Sequence, residues 1–337
     1  MRKLFAIMLL CGYGFVARSQ KADVPPLFQQ QDPLALQIAF SIREVKKSKV
    51  DSVFFHSSIK FKVEDAWDSI PMEIRARGNF RRRNCFFPPL RLRMNKKDSE
   101  KTIFEGNKSF KLVLPCQTVK SGWDLIMKEY LCYKLLEPLT PYYFHTRLTY
   151  ITLTNTSGKN PKPYSVIGFI IEDDDLIAHR FDGKVVEKRI HPLQLNDTAA
   201  VVLDLFQYMI ANTDWSSYGQ HNMKVIRARA SNVPLAYDFD MAGLVSAPYA
   251  TVNENLSIRS VKERLYRGFC RNESVVQYVR SEYIKNEPII MKVIDDHKSY
   301  FTDADFKGIK KFINEFFEGI KNDRSFSDAI LFPCRKD

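Results

Sequence analysis

A chain of 337 residues, of which 45% are hydrophobic and 27% charged, is long enough to bury a large core and has the composition of a folded protein. This composition excludes a disordered, repetitive or collagen-like chain. The formal net charge of +12 would suit a nucleic-acid binder, but the basic residues are spread along the chain and no nucleic-acid motif accompanies them. We therefore predict that nucleic acid is not a partner.

The N-terminus has the features of a secretory signal peptide. A short basic start, Met1-Arg2-Lys3, precedes a mostly apolar run over residues 4–16, and the small residues Ala17 and Ser19 follow. The run is too short to span a membrane, and a polar segment comes directly after it. We predict a signal peptide over residues 1–19, and hence an exported protein of the periplasm, the cell envelope or the medium. The alternative is a buried N-terminal helix.

The rest of the chain contains no apolar stretch of roughly 18 residues, so we predict no transmembrane segment in the mature chain. Its five cysteines form no C-x-x-C pair and no Cys/His array, which argues against a zinc site; they are Cys85, Cys116, Cys132, Cys270 and Cys334. An odd number leaves at least one thiol without a partner in the same chain. Cys85 and Cys116 flank two strand-like runs, so they either close a hairpin as a disulfide or stay reduced.

In chain order, residues 20–34 are predicted to be a polar linker, and strands dominate from there to about Glu172. Alternating patterns predict strands near 36–43, 51–62, 71–78, 89–94, 109–114, 146–154 and 164–172. One helix interrupts them, from Trp123 to Leu136, and it stops before Pro138.

Helical patterns dominate after Glu172. They predict helices over 198–211 and near 258–267, 272–285 and 303–321, with short strands at 223–226 and 234–237 between them. This order is the outline of an α+β, two-lobed, protein-kinase-like fold. Its N-lobe, residues 35–175, would hold an antiparallel sheet with one helix, and its C-lobe, residues 176–337, would be mainly helical. An unrelated α+β protein has the same coarse outline.

Polar side chains occur at three points within apolar sequence in the middle of the chain. Asp214 follows the helix that ends near Ala211, Asn222 begins the next strand, and Asp238 and Asp240 follow the strand after it. Phosphoryl transfer uses a carboxylate to take the proton of a hydroxyl, and an Asn and an Asp to hold magnesium. Each of these residues alone is also typical of a turn, but their order and apolar flanks favour a site.

A phosphate-binding lysine is expected on a strand of the first half, paired with a helix glutamate. Lys111 lies in an apolar strand, where a buried amine needs a partner, and Glu129 lies in the helix that follows. The alternative is a lysine at an exposed strand edge with a surface glutamate, and Lys108 is the competing lysine.

Two further charged segments adjoin these strands. The segment from Arg75 to Arg83 is the densest basic cluster, and its arginines, Arg77 among them, either grip phosphates or are solvated around a turn at Gly78. Glu172 ends the last strand of the first half and is predicted to lie at a hinge beside a nucleotide base.

Six motifs resemble those of the spore-coat protein H kinase family (CotH-like), over about half of the chain. They are Arg77-Gly78-Asn79, the Lys111 strand, residues 168–172, Asn212-Thr213-Asp214-Trp215, His221-Asn222 and Tyr237-Asp238-Phe239-Asp240. The segment from Cys85 to Leu131 is also similar to exported bacterial proteins of uncharacterised function, and that similarity is closer.

The resemblance to the CotH-like family implies binding of ATP and Mg²⁺, and transfer of the γ-phosphate to a hydroxyl of a protein or another acceptor. It implies Asp214 as the base, Asn222 with Asp238 or Asp240 as metal ligands, and Lys111 with Glu129 as the phosphate clamp. The rival hypothesis is a pseudokinase-like binding or adhesion module of the cell envelope, without chemistry. A nucleic-acid binder using Arg75–Arg83 is a third, weaker hypothesis.

Overall fold

A computed structural model describes residues 24–48, 52–78, 80–118 and 121–336. The predicted signal peptide and Asn79 of the basic cluster lie outside the described residues. The described part of the predicted linker begins at Val24 and contains a short helix, in which Leu27 and Phe28 are buried. This part of the chain packs against the protein core.

The described chain contains both strands and helices. The strands are β1 (Leu34–Phe40), β2 (Phe55–Val63), β3 (Ala66–Ala76), β4 (Leu90–Arg93), β5 (Ser109–Val113), β6 (Thr146–Asn155), β7 (Lys162–Ile171), β8 (Lys184–Val185), β9 (Met223–Ala228) and β10 (Ser231–Ala236). The helices are α1 (Pro26–Gln29), α2 (Ile42–Lys47), α3 (Phe80–Asn84), α4 (Lys96–Ser99), α5 (Ser121–Leu136), α6 (Asp174–Arg180), α7 (Asp197–Met209), α8 (Glu273–Asp296), α9 (Asp303–Lys321) and α10 (Asp323–Phe326).

Strands β1 to β7 close into a barrel in the order β1-β2-β3-β4-β5-β7-β6. Neighbouring strands are antiparallel except at the closure, where β1 pairs in parallel with β6, with Leu34 opposite Thr149. The prediction of a two-lobed kinase-like fold with an antiparallel sheet in its N-lobe is therefore wrong, because the seven strands form a closed mixed barrel. The parallel closure joins strands more than a hundred residues apart, and hydrophobic alternation carries no information about such pairing. The predicted division of the chain at residue 175 stays a prediction.

The barrel interior is a hydrophobic core, because successive side chains of a strand point to opposite faces. In β7, Ile170 belongs to the interior cluster, whereas Phe169 and Ile171 belong to the cluster on the other face. The interior cluster includes Leu36, Ile38, Phe61, Ile74, Leu92, Phe110, Leu112, Ile151 and Leu153.

The second hydrophobic core joins the outer face of β5 and β7 to the helices of the second half of the chain. It is formed by α5, α7, α8 and α9 together with the β9–β10 hairpin, and it includes Val113, Leu131, Phe206, Phe239 and Phe317. A third strand, β8, extends the hairpin into a small sheet of order β10-β9-β8. The β9–β10 hairpin therefore shares one core with the outer face of β5 and β7.

Most of the predicted strands and helices are confirmed, including all seven barrel strands, α5, α7 and α9. The helix predicted near 258–267 is wrong, because that segment consists of turns, bends and irregular chain. It packs so closely against Gly243 that a Cβ there would lie 2.3 Å from the Val261 carbonyl oxygen. Between Thr251 and Gly268 the described chain forms no regular helix.

Two disulfides lie within the described residues. Cys85–Cys116 confirms the hairpin-closing pair, and Cys270–Cys334 ties the segment before α8 to the C-terminal segment. Cys132 is buried and forms no disulfide with another described residue. None of the helices in the described ranges has the length and apolar character needed to cross a bilayer.

Candidate functional site

A cavity of about 440 Å³ brings together residues that are far apart in sequence. Asp214, Asn222, Asp238 and Asp240 all line it, as the sequence predicted, and so does Arg77. Its other lining residues are Gly78, Phe80, Arg81, Pro89, Val113, His221, Tyr237 and Met241. One part of the wall is therefore charged and the other is apolar or aromatic.

Asp214 lies in a turn that hydrogen bonds hold on both sides. After α7, Ala211 takes a left-handed conformation (φ 51°) and reverses the chain. Asn212 then accepts a hydrogen bond from the Asp214 N–H at 3.0 Å through its side-chain oxygen. Arg267 donates to the carbonyl oxygens of Thr213 and Trp215. The carboxylate is thus fixed at the edge of the cavity.

The Asp214 carboxylate contacts two side chains from the start of β9. Asn222 Nδ2 lies 3.0 Å from one oxygen, and His221 Nε2 lies 3.3 Å from the other. Burial raises the pKa of Asp214, and the negative charge of Asp238 adds to this, while His221 and Asn222 oppose it. Because the amide nitrogen of Asn222 donates a hydrogen bond to Asp214, the amide oxygen of Asn222 is the atom that can bind a cation.

The β9–β10 hairpin places Asn222 beside Asp238. Met223 is opposite Ala236 in the ladder, and the Tyr237 N–H donates to the Asn222 carbonyl oxygen at 3.3 Å. Asn222 and Asp238 both have positive φ values, 51° and 65°. Non-glycine residues in this region are uncommon and are concentrated at functional sites. The Asp238 N–H is held by the hydroxyl of Tyr133 on α5, at 2.9 Å.

Arg81 and Glu129 form the buried ion pair of this site. Arg81 lies on α3 with its guanidinium 3.6 Å from Glu129 and 3.9 Å from Asp240, and it donates to the Leu114 carbonyl oxygen. Burial opposes its charge, but the neighbouring acids, with Glu129 first, raise its pKa above the ordinary value. Burial raises the pKa of Glu129, an effect that Arg81 opposes.

Asp240 lies at the buried end of the cavity. Burial and the neighbouring Asp238 raise its pKa to about 6, while Arg81 and the hydroxyl of Tyr249 lower it. The Tyr249 hydroxyl donates to Asp240 at 3.2 Å. Asp238 and Asp240 thus line the same cavity, and the positive charge of Arg81 only partly balances their negative charges.

The predicted ion pair between Lys111 and Glu129 does not form. Lys111 is paired with Asp174 at the start of α6, and its amine lies 4.7 Å and 5.0 Å from the ring centroids of Phe144 and Tyr237. Burial lowers the pKa of Lys111, an effect that Asp174 opposes. Lys111 therefore supports Tyr237, a wall residue of the cavity, while the cation beside Glu129 is Arg81.

Glu172 does not reach the cavity either. It is fully buried, accepts the N–H of His145 at 2.9 Å and lies 3.0 Å from Arg180. Burial raises its pKa to about 7. The side chain of Glu172 is inaccessible and does not line the cavity, so the cavity gives no support to the predicted position of Glu172 at a hinge beside a nucleotide base.

Sequence reasoning missed Arg81 and His221 as site residues. Arg81 lies in a basic cluster, and the sequence does not indicate which arginine of that cluster is buried. Its burial depends on contacts with Glu129 of α5 and with Asp240. His221 directly precedes Asn222, and that adjacency was the available signal.

The donor set fits a magnesium ion that is bound together with phosphate. Among the described residues, no group of three or more His, Cys, Asp or Glu side chains could hold a metal by itself. Mg²⁺ normally takes one or two carboxylates and completes its shell with phosphate oxygens and water. Asp240 and Asp238, with the amide oxygen of Asn222, are suited to that partial role.

The sequence matches no family model, and a search of curated proteins finds no match. The resemblance to the CotH-like family remains a prediction that rests on the motifs.

Proposed function

We propose that the protein is an exported phosphotransferase that moves the γ-phosphate of ATP to a hydroxyl of a protein or another acceptor, with Mg²⁺. The observation that supports it is the cavity, in which Arg77 and Arg81 face Asp214, Asp238 and Asp240. Arginines bind phosphate oxygens, and carboxylates hold magnesium, so one cavity combines the groups that phosphoryl transfer needs. The proposal depends on this cavity and not on a kinase fold.

The apolar part of the cavity wall suits the nucleobase, and the charged part suits the phosphates. Ligand cavities of roughly 300–1,000 Å³ with a few convergent polar groups are typical of small-molecule sites. The volume of about 440 Å³ lies in that range. Pro89, Val113 and Tyr237 offer an apolar surface, while Arg77 and Arg81 can donate to phosphate oxygens.

Asp214 takes the proton of the acceptor hydroxyl as the hydroxyl oxygen bonds to the γ-phosphorus. The bond from the γ-phosphorus to the oxygen that bridges to the β-phosphate breaks, and ADP leaves with that oxygen. Arg77 and Arg81 neutralise the charge of the phosphates. Asn222, Asp238 and Asp240 would hold Mg²⁺, which supplies further charge neutralisation when bound.

Export is supported by the two disulfides. Cys85–Cys116 and Cys270–Cys334 are typical of proteins that fold in an oxidising compartment. Because the predicted signal peptide lies outside the described residues, the location is part of the proposal.

A binding module without chemistry is the alternative. The observation that favours it is that Asn222 and His221 already contact both oxygens of Asp214, so a base would have to release one of them. ATP binding without phosphate transfer would support this alternative.

Incubation of the purified protein with γ-labelled ATP and Mg²⁺ tests the proposal, with Asp214→Asn as the variant. Asp65→Asn is the matched control, because Asp65 is fully exposed at a hairpin. We expect transfer by the native protein and the control, and a loss of about 10²–10⁴-fold in Asp214→Asn. ATP affinity should be nearly unchanged. Full activity of Asp214→Asn, or no ATP binding by the native protein, would contradict the proposal.

A further inference from the structure

Two exposed basic side chains lie directly opposite each other at the edge of the small sheet. Lys184 of β8 is the ladder partner of Arg227 of β9. Both are exposed, and neither forms an ion pair with any other described residue. The Arg227 guanidinium donates only to the Ala230 carbonyl oxygen, at 3.3 Å.

This arrangement costs stability, because like charges directly opposite on neighbouring strands repel. The backbone nevertheless holds them together. A Cβ on Gly183 would lie 2.3 Å from the Arg227 carbonyl oxygen, so the close approach of β8 to β9 needs glycine. The hairpin turn also holds the exposed Arg229 at a φ of 53°, a conformation that favours glycine or asparagine.

More basic residues follow β8 in the chain. The Val186 N–H donates to the Val225 carbonyl oxygen at 2.8 Å, so the chain after β8 runs antiparallel to β9, toward the Asn222 end. The exposed Lys188 and Arg189 come next in the chain, where it bends at Lys188. We call Lys184, Lys188, Arg189, Arg227 and Arg229 the basic strip. Two acids, Asp182 and Glu187, lie in the same segment, so basic residues outnumber acidic ones five to two.

The far end of the basic strip has a defined separation from the site. Arg227 is five residues along β9 from Asn222, and a strand rises roughly 3.3 Å per residue, which gives about 16 Å. An extended peptide covers the same distance in about five residues. A peptide whose hydroxyl lies at Asp214 would therefore bring side chains about five positions away to the paired Lys184 and Arg227.

We propose that the basic strip docks an acidic segment of the phosphate acceptor. The acceptor is then a hydroxyl residue in a protein segment with acidic side chains about five positions away. This inference rests on the proposed phosphotransfer for its functional meaning. The docking of an acidic segment is inferred from the unpaired positive charges of the basic strip and does not require that the protein transfers phosphate.

A protein segment fits the basic strip better than a uniformly charged polyanion does. The strip is confined to two neighbouring strands and the segments next to them, whereas anionic membranes and nucleic acid favour broader positive surfaces. Asp182 and Glu187 interrupt the strip and would repel a continuous row of phosphates. An acidic peptide has separated charges that can match the separated basic side chains.

A binding experiment tests the docking part with two labelled peptides. Both carry a central serine, and they have either aspartate or asparagine about five positions to each side. The strip variant is Lys184→Gln/Arg227→Gln/Arg229→Gln. The matched control is Lys96→Gln/Lys97→Gln/Lys108→Gln, which removes the same charge at exposed lysines outside the basic strip.

At low salt, we expect the native protein and the control to bind the aspartate peptide about tenfold more tightly than the asparagine peptide. The strip variant should lose this preference, and so should the native protein at ~0.5 M salt. A strip variant that keeps the preference overturns the inference. It is also overturned if the variant loses only binding to phosphatidylglycerol vesicles or to duplex DNA.

The kinetic experiment separates the inference from the proposed function. The KM of the native protein for the aspartate peptide should be about tenfold lower than for the asparagine peptide, with kcat alike, and the strip variant should remove the difference. Equal KM values with normal phosphate transfer overturn the docking inference alone. Strip-dependent binding of the aspartate peptide by a native protein that does not bind ATP overturns the phosphotransferase proposal and leaves the docking surface standing.

Discussion

Arg81 is the residue on which the charge balance of the site depends. It lies between Glu129 and Asp240, and both acids are nearly excluded from solvent. Arg81→Met should lower the free energy of unfolding by about 3–5 kcal/mol, because it leaves Glu129 buried without a counter-charge. It should also weaken ATP binding. Urea unfolding and calorimetric titration with ATP and Mg²⁺ measure the two effects.

The double variant Arg81→Met/Glu129→Met separates stability from binding. Removing both charges should restore at least part of the stability, since an apolar pair can replace a buried ion pair. ATP affinity should stay low. Arg83→Met is the control, since Arg83 is exposed on the same helix and should change stability by less than about 0.5 kcal/mol. Native ATP affinity in the folded double variant would show that Arg81 does not contact phosphate.

Asp204 is predicted to make stability depend on pH. It lies buried on α7, and burial raises its pKa to about 7, although Arg271 opposes the shift. An acid whose pKa is raised by folding binds its proton more tightly in the native state. The free energy of unfolding should therefore fall as pH rises from about 4 through 7 and level off above.

The variant Asp204→Asn lacks this titration. Its stability relative to the native protein should increase between pH 5 and pH 8, on the order of 2 kcal/mol. Urea unfolding of both proteins at the two pH values gives the difference, in which the other titrating groups largely cancel. A stability difference that is the same at both pH values would show that Asp204 stays ionised in the folded protein.

Helix α3 depends on the Cys85–Cys116 disulfide for its position. Cys85 directly follows the helix, and the Phe86 N–H donates to the Cys116 carbonyl oxygen at 2.8 Å. Arg81 donates to the nearby Leu114. Because the cysteines are 31 positions apart in sequence, Cys85→Ser/Cys116→Ser should cost about 3–4 kcal/mol of unfolding free energy and weaken ATP binding about tenfold. Calorimetric titration at a temperature where the variant is folded measures the affinity.

The second disulfide supplies the matched control for this prediction. Cys270→Ser/Cys334→Ser opens a loop with a sequence separation of 64 residues and should destabilise the protein by a similar amount. None of its residues lines the cavity, so ATP affinity should be native in the folded variant. Equal losses of affinity in both variants would mean that the effect is general destabilisation.

The strands and helices were largely predictable, because their signals are local. Alternation in β7 separates Ile170 from Phe169 and Ile171, and the amphipathic pattern of α9 gives its bounds correctly. Barrel closure was not predictable, since the parallel pairing of β1 with β6 depends on contacts between strands far apart in sequence. The helix expected near 258–267 fails because close packing on Gly243 overrides its local pattern.

The acidic residues of the site were predictable from the sequence, whereas its basic residues were only partly predictable. Asp214 lies in the turn after α7, Asn222 directly precedes β9, and Asp238 and Asp240 follow β10, and these boundaries between elements are what a sequence pattern can reveal. The partner of Glu129 was not predictable. A buried lysine on a strand is the expected choice, but Lys111 is bound to Asp174 and an arginine of the basic cluster takes its place.

At the scale of the whole molecule, the cavity joins the barrel side of the chain to the β9–β10 side. Arg77 follows β3 and Val113 ends β5, whereas Asp214 through Met241 come from the second half of the chain. A ligand that contacts both sides binds the native state only, so it must raise the free energy of unfolding. ATP with Mg²⁺ should therefore stabilise the entire protein against urea.

Calorimetric titration of the native protein with ATP, with Mg²⁺ and with excess EDTA, tests the central claim most directly. The carboxylates and arginines of the cavity should bind the nucleotide together with the cation, so removing Mg²⁺ should weaken binding at least tenfold, which corresponds to about 1.4 kcal/mol. Asp238→Asn/Asp240→Asn should show the weaker affinity in both conditions. An affinity that does not depend on Mg²⁺, or no heat of binding at millimolar ATP, would contradict the account.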